Sequence, residues 1–159
     1  MRLLIVTLSH RQPAWVAAGF DEYARRMPRQ ARLELVELRP EPRPDGARPA
    51  VVAKLQEREA ERLAAAVPRG ALKVALDERG VALSTLQFAG RMGDWLAEGR
   101  DAAFLVGSAD GLAASVRQNA DVVLALSSFT LPHGLVRVLL AEQLYRACCV
   151  LHNHPYHRD

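Results

Sequence analysis

The last eight residues, His152-Asn153-His154-Pro155-Tyr156-His157-Arg158-Asp159, hold three of the chain's five histidines together with a tyrosine and an arginine. Imidazoles titrate near neutral pH and can accept or relay protons, while a phenol and a guanidinium bind polar or anionic groups. A chain terminus ordinarily frays and needs no such concentration of reactive groups. Cys148 and Cys149 stand close by, and thiols with imidazoles can hold zinc, but the spacing matches neither C-x-x-C nor H-x-x-x-H. A histidine-containing tail without a role is the plain alternative.

Two further segments could bind a ligand. In Gly107-Ser108-Ala109-Asp110-Gly111 the glycines allow the backbone to approach a ligand or adopt positive φ, or they merely turn a strand into a helix. The run Leu126-Ser127-Ser128-Phe129-Thr130-Leu131-Pro132-His133 can offer backbone groups and an apolar platform to a flat heterocycle, or simply cap the helix behind it. There is no G-x-G-x-x-G dinucleotide fingerprint and no G-K-[ST] phosphate loop, so NAD and ATP have no motif support.

These segments need a scaffold to hold them. Residues 3–9 form the continuous apolar run of a strand buried on both faces of a parallel sheet. Pro13 opens a helix that carries Val16, Phe20, Tyr23 and Met27 on one side until Pro28 ends it. A strand at 32–38 leads to a proline-rich solvated loop at 39–49, a helix at 50–67 and a strand at 72–76. Ser84 caps a helix that ends near Gly99, before a strand at 102–106. A short helix at 113–119, a strand at 122–125 and a helix at 135–149 complete the chain. In that last helix Leu135, Leu139, Ala141, Glu142, Leu144 and Tyr145 read as packing, and Arg137 and Arg146 interrupt the apolar pattern. The alternation predicts an α/β fold with a largely parallel sheet. Ligands on such sheets sit beyond the carboxyl ends of strands, here Leu76-Asp77, residues 107–111 and residues 126–132.

The 159 residues favour one domain over 1–159. Half are hydrophobic and a quarter charged, which excludes a disordered, collagenous or coiled-coil protein. No apolar run approaches the roughly 20 residues of a bilayer span. Met1-Arg2 leads straight into strand-like sequence with no signal-peptide pattern, so a cytoplasmic location is expected. Adjacent cysteines cannot form a loop-closing disulfide and are expected to be reduced. The formal charge is +3, and every one of the 21 basic residues except Lys54 and Lys73 is arginine. That composition suits bidentate phosphate contacts, and it also suits a codon bias.

The strings TLPH at 130–133, LVRVLLAEQLYRA at 135–147 and NHPYHR at 153–158, with PAWVAAGFDEYARRMP at 13–28 and VALDERG at 74–80, closely resemble the RlmH family. These are small bacterial SPOUT-class methyltransferases that modify a pseudouridine of 23S ribosomal RNA. The resemblance covers the whole chain. It implies a five- or six-stranded α/β domain with a trefoil knot near its carboxyl end, a homodimer partly built by the last helix and tail, and S-adenosylmethionine bound in the knot. The implied reaction methylates N3 of a pseudouridine in helix 69, within the assembled ribosome and without a metal. Carried over residue by residue, the donor site falls on Leu76, Gly107, Leu126, Ser127, Ser128, Phe129, Thr130 and Leu131, the same strand ends reached above. Tyr156, His157 and Arg158 then contact the target base and its backbone: His157 as proton acceptor or relay, Tyr156 for stacking or hydrogen bonding, Arg158 for charge on the imide or a phosphate. A basic surface of Arg25, Arg26, Arg29, Arg137, Arg146 and His154 would face the RNA. Many members carry a second glycine, often with a proline soon after, where this chain has Ser108-Ala109. On this reading Gly107 is a glycine so that backbone can approach the donor. A ribosome-binding factor that keeps the fold but transfers no methyl group is the alternative from another class, and a metal-binding Cys/His tail a third.

Overall fold

The computed structural model describes residues 1–158, with only the backbone described at 157 and 158. Ten regular elements follow one another: β1 (Arg2–Leu8), α1 (Ala14–Arg26), β2 (Arg32–Leu38), α2 (Pro49–Ala66), β3 (Leu72–Ala82), α3 (Thr85–Glu98), β4 (Ala102–Val106), α4 (Ala114–Gln118), β5 (Val122–Ala125) and α5 (His133–Leu151). A 3-10 turn spans Pro155–Arg158. The strands form one sheet in the order β2-β1-β4-β3-β5, with every pairing parallel.

Alternate side chains of a strand point to opposite faces, so β1 can serve two cores at once. Leu3 and Ile5 meet Phe20 of α1, Phe88, Met92 and Trp95 of α3, and Leu140 and Leu144 of α5. Leu4, Val6 and Leu8 meet Ala60 and Leu63 of α2 and Val116 of α4 on the other side. The result is a helix–sheet–helix sandwich with α5 seated beside α1 and α3. Local signals set the helix ends as the sequence predicts. Ser84 and Gln87 form a capping box on α3, and Gly99 stops it in the left-handed region at φ 67°. Met27, held extended by Pro28, ends α1.

Three expectations need correction. The strand predicted at 72–76 continues to Ala82, because residues 77–80 form a bulge after which β3 pairs with β5 again at Val81 and Ala82. Asp77 makes that excursion possible: its carboxylate accepts the Arg79 backbone N–H at 3.0 Å and pairs with Arg117 at 3.3 Å. A Cβ at Gly80 would lie 2.6 to 2.7 Å from the backbone of Leu124 and Val123, so only glycine fits at the point of re-entry. The last helix spans residues 133–151 rather than 135–149, with Pro132 at its N-cap. Leu135 and Leu139, read as packing, are exposed.

At the amino edge of the sheet Asp101 clips β4 to β1, accepting the Arg2 backbone N–H at 2.7 Å and its Nε–H at 2.9 Å. The Arg2 backbone N–H first, and its guanidinium with it, hold the Asp101 carboxyl below its ordinary value of 3.8. A carboxyl depressed in the folded state stabilises the fold above its unfolded pKa and loses that contribution as pH falls through the folded one. Asp101→Asn is expected to cost about 0.5–1 kcal/mol at about pH 7, and the deficit should shrink toward about pH 3. Urea midpoints at the two pH values measure this, and an unchanged gap would contradict it.

Candidate functional site

Parallel pairing brings the carboxyl ends of β3, β4 and β5 to one edge of the sheet, and there a cleft of about 480 Å³ opens. Leu76, Gly107, Leu126, Ser127, Phe129, Thr130 and Leu131 line it. Ser128 lies in the same loop but does not line the cleft. Asp77, named above as a strand end, and His133, read as part of the loop, also line it; sequence reasoning missed Glu78 and Arg79 from the bulge and Val136 from the first turn of α5. The bulge had no signal beyond a turn-like Asp-Glu-Arg-Gly. Ser127 Oγ accepts the Phe129 backbone N–H at 2.9 Å, a local turn that leaves the Phe129 side chain exposed at the lip. His133 Nδ1 is buried and has no hydrogen-bond partner among the described residues. Apolar walls from Leu76, Val106, Leu131 and Val136, together with loop backbone, suit a flat heterocyclic ligand.

Gly107 lines this cleft for a different reason than close ligand approach alone. Gly111, at φ 81°, folds the turn back so that its N–H donates to the Ser108 carbonyl at 2.8 Å. A Cβ on Gly107 would then sit 2.4 to 2.6 Å from the backbone of Gly111 and Leu112. Gly107 does not itself adopt positive φ. A bulky residue there is therefore incompatible with the turn, so that close approach to a donor is not the only demand for glycine at this position.

The tail lies elsewhere. The backbone N–H of His154 donates to the Cys149 carbonyl at 2.8 Å, and Asn153 takes φ 58°, which doubles the chain back along the end of α5. Tyr156 then donates its hydroxyl to Glu142 at 3.2 Å, packs on Tyr145 at a centroid distance of 4.8 Å, and lies under the Arg146 guanidinium at 4.7 Å. Burial foremost, with Tyr23 and Glu142 beside it, pushes the phenol well up from its ordinary value. It is a neutral hydrogen-bond donor near neutral pH rather than a base. His133 lines the cleft at one end of α5 and Arg146 meets the tail near the other, about 20 Å along a helix axis that rises about 1.5 Å per residue. The candidate side chains of His157 and Arg158 lie outside the described residues.

The basic residues divide by environment. Arg25 and Arg26 pair with Glu22 on the exposed end of α1, and Arg29 is exposed just beyond. Arg146 pairs with Glu142 at 2.8 Å, and that hydrogen bond raises its pKa further; His154 Nδ1 accepts the Tyr156 backbone N–H at 3.3 Å. Arg137 does not face solvent. It is 3% exposed and donates to Glu37 and to Ser9 Oγ, each at 2.6 Å, because its position on α5 faces the sheet. Both cysteines are free and buried, and burial, then Cys149, pushes the Cys148 thiol up to about 12. Among the described residues no group of three or more His, Cys, Asp or Glu could hold a metal ion, and no helix is long and apolar enough to cross a membrane.

The steric argument at Gly107 predicts a contrast between two glycines. Gly107→Ala should lower stability by about 1–3 kcal/mol, the usual cost of forcing atoms into filled space. Gly90→Ala, in open space within α3, should be neutral or stabilise by about 0.5–1 kcal/mol through helix propensity. Denaturant midpoints decide, and equal effects at the two sites would contradict the reading.

Comparison with known proteins agrees with this arrangement. The family model described as predicted SPOUT methyltransferase matches residues 1–157. Curated relatives called ribosomal RNA large subunit methyltransferase H are 52% identical in Burkholderia cenocepacia strain HI2424 and 53% identical in Paraburkholderia xenovorans strain LB400, each over 99% of both chains. Among solved structures, a methylase family protein of Haemophilus influenzae Rd KW20 superposes with a TM-score of 0.56 at 16% identity, covering 97% of this chain and 68% of that one. Another methylase family protein, from Neisseria gonorrhoeae, gives 0.50 at 16% identity, covering 91% and 80%. At that identity the likeness speaks for the fold alone. With a five-stranded parallel sheet, a cleft at its carboxyl edge and a match along nearly its full length, the chain belongs to the SPOUT methyltransferase family.

Proposed function

We propose that this chain transfers a methyl group from S-adenosylmethionine to N3 of a pseudouridine in helix 69 of 23S ribosomal RNA, acting on the assembled ribosome as a cytoplasmic homodimer. The observation that carries this reading is the cleft at the ends of β3, β4 and β5, found in a chain whose curated relatives are named as large-subunit ribosomal RNA methyltransferases. Leu76, Gly107 and the loop Leu126, Ser127, Ser128, Phe129, Thr130 and Leu131 hold the donor. Residues 126–132, which carry the chain from the edge strand β5 back to α5 between its neighbours, belong to the trefoil knot of this reading.

When bound, the donor supplies an electrophilic methyl carbon on a sulfonium. The work of the protein is at the acceptor. N3 of the target is an imide nitrogen flanked by two carbonyls and is a poor nucleophile until its proton leaves. His157 takes or relays that proton. Tyr156, kept protonated by its surroundings, donates a hydrogen bond or stacks, and Arg158 stabilises negative charge on the imide oxygens or a phosphate. No metal ion has a part in this scheme. Alignment of N3 with the methyl carbon supplies much of the acceleration.

The separation of tail and cleft along α5 bears on the dimer. A tail held about 20 Å from its own cleft serves a cleft only across an interface, so the tail of one chain completes the site of the other. The exposed Leu135 and Leu139, four residues apart on one side of α5, support such a face. Arg25, Arg26 and Arg29, at the end of α1 where Arg26 lies over Tyr145 of α5, supply phosphate contacts beside the tail.

Ribosomes incubated with the chain and S-adenosylmethionine should gain one methyl group at a helix 69 pseudouridine by mass spectrometry. Donor binding with no methyl gained would favour the non-catalytic ribosome-binding factor instead. Thr130→Trp, which fills the cleft, and His157→Ala should each lower the rate by about 10²-fold or more. Mixed together they should regain about a quarter of wild-type activity, since half the dimers are mixed and each of those holds one intact site. A mixture as inactive as either parent would refute the shared site.

A further inference from the structure

Glu59 of α2 takes no part in the scheme above, yet it is a carboxylate 1% exposed. All of its acceptor capacity is used. Oε1 accepts the Glu41 backbone N–H at 2.8 Å and Arg43 Nη1 at 2.9 Å, while Oε2 accepts Arg43 Nη2 at 3.0 Å and Ser108 Oγ at 3.1 Å. Arg43, in the proline-rich loop, is saturated in the same way. Beyond its two bonds to Glu59, it donates from Nε to Asp110 at 2.7 Å, from Nη1 to the Glu41 carbonyl at 2.9 Å and from Nη2 to Ser108 Oγ at 3.0 Å. Five guanidinium N–H groups thus meet five acceptors, in the fixed planar fork that lysine lacks.

This pair reaches the methyl-donor cleft without entering it. Ser108 and Asp110 line the cleft, whereas neither Arg43 nor Glu59 does. The turn they hold has little else to define it: Gly107 and Gly111 have no side chains, and the Ser108–Gly111 bridge is a single isolated pairing. Gln56, one turn before Glu59, adds a bond to the Asp110 carbonyl at 2.9 Å. A buried ion pair contributes little net stability after desolvation, but breaking one side of it is expensive, so its geometry is strongly enforced.

We propose that Arg43 and Glu59 are positioning residues for methyl-donor binding, which hold the 107–111 turn in its binding shape through Ser108 and Asp110. The inference rests on the donor site proposed above. Ser108 is the link: its hydroxyl touches both members of the pair, a contact that glycine at this position could not make.

Calorimetric titration of the full-length chain with S-adenosylmethionine tests this. Glu59→Gln replaces an acceptor oxygen by an amide N–H facing Arg43, and it should weaken binding about tenfold, equivalent to about 1.4 kcal/mol. Arg43→Lys should do the same, and the double variant should be no weaker than either single one, as expected of residues acting as one unit. Ser108→Ala should lose about threefold. In methylation assays the donor KM should rise by these factors while kcat at saturating donor changes by less than about threefold. A merely structural role gives a different result, with fewer binding-competent chains and a lower Tm but a wild-type Kd in those that fold; that result overturns the inference. Should Glu59→Gln fail to fold, Ser108→Ala and Arg43→Lys decide, and wild-type affinity in both overturns it. A wild-type chain that binds no S-adenosylmethionine overturns the donor site and this inference together, whereas tight wild-type binding with unaltered variants overturns this inference alone.

Discussion

Parallel strand pairing is the constraint from which most of this structure follows. Adjacent parallel strands cannot be joined by a tight turn, so each connection must cross a face of the sheet and the helices must cover both sides. All carboxyl ends then emerge at one edge, where the connecting segments are free of the ladder and able to carry chemistry. The 77–80 bulge, the 107–111 turn and the 126–132 loop are the segments leaving β3, β4 and β5, and they meet because the strands do. The cleft is thus a product of the order β4-β3-β5 before any of its side chains is considered.

α5 links the two places where reactive groups gather. Its inward face contributes Leu140, Leu144, Ala147 and Cys148 to the core, and its first turn walls the cleft. Close packing with α1 depends on small residues at the contact. A Cβ on Gly134 would lie 2.9 Å from Val16 and Gln12, and one on Gly19 would lie 3.1 Å from Val138. A rigid helix packed in this way keeps cleft and tail at a fixed separation, and so turns the question of one site or two into one of assembly.

Much of the fold was legible because the elements carry strong local signals: the apolar run of β1, the Ser84 cap and Gly99 stop of α3, and the prolines around α1. The donor loop was legible from the general rule for parallel sheets and from the family resemblance, which reached the same strand ends. What sequence could not supply was tertiary. Asp77-Glu78-Arg79-Gly80 reads as the end of a strand, because nothing local reveals that Leu124 waits on the far side of a bulge to pair with Val81. Arg137 reads as a surface charge because its partners, Glu37 and Ser9, lie far away in the chain. Glu59 looks like any other acid on a charged helix until Arg43 and Ser108 are brought to it.

The buried cysteine pair has a practical consequence. Thiol-directed dyes attack the thiolate, and Cys148, with its thiol pushed up to about 12 and both cysteines shielded from solvent, offers them almost none in the native state. Phe129 stands at the mouth of the cleft with 79% of its surface exposed. A single cysteine introduced there would therefore take a fluorophore selectively in the presence of both natural thiols, and would place a spectroscopic probe at the mouth of the cleft.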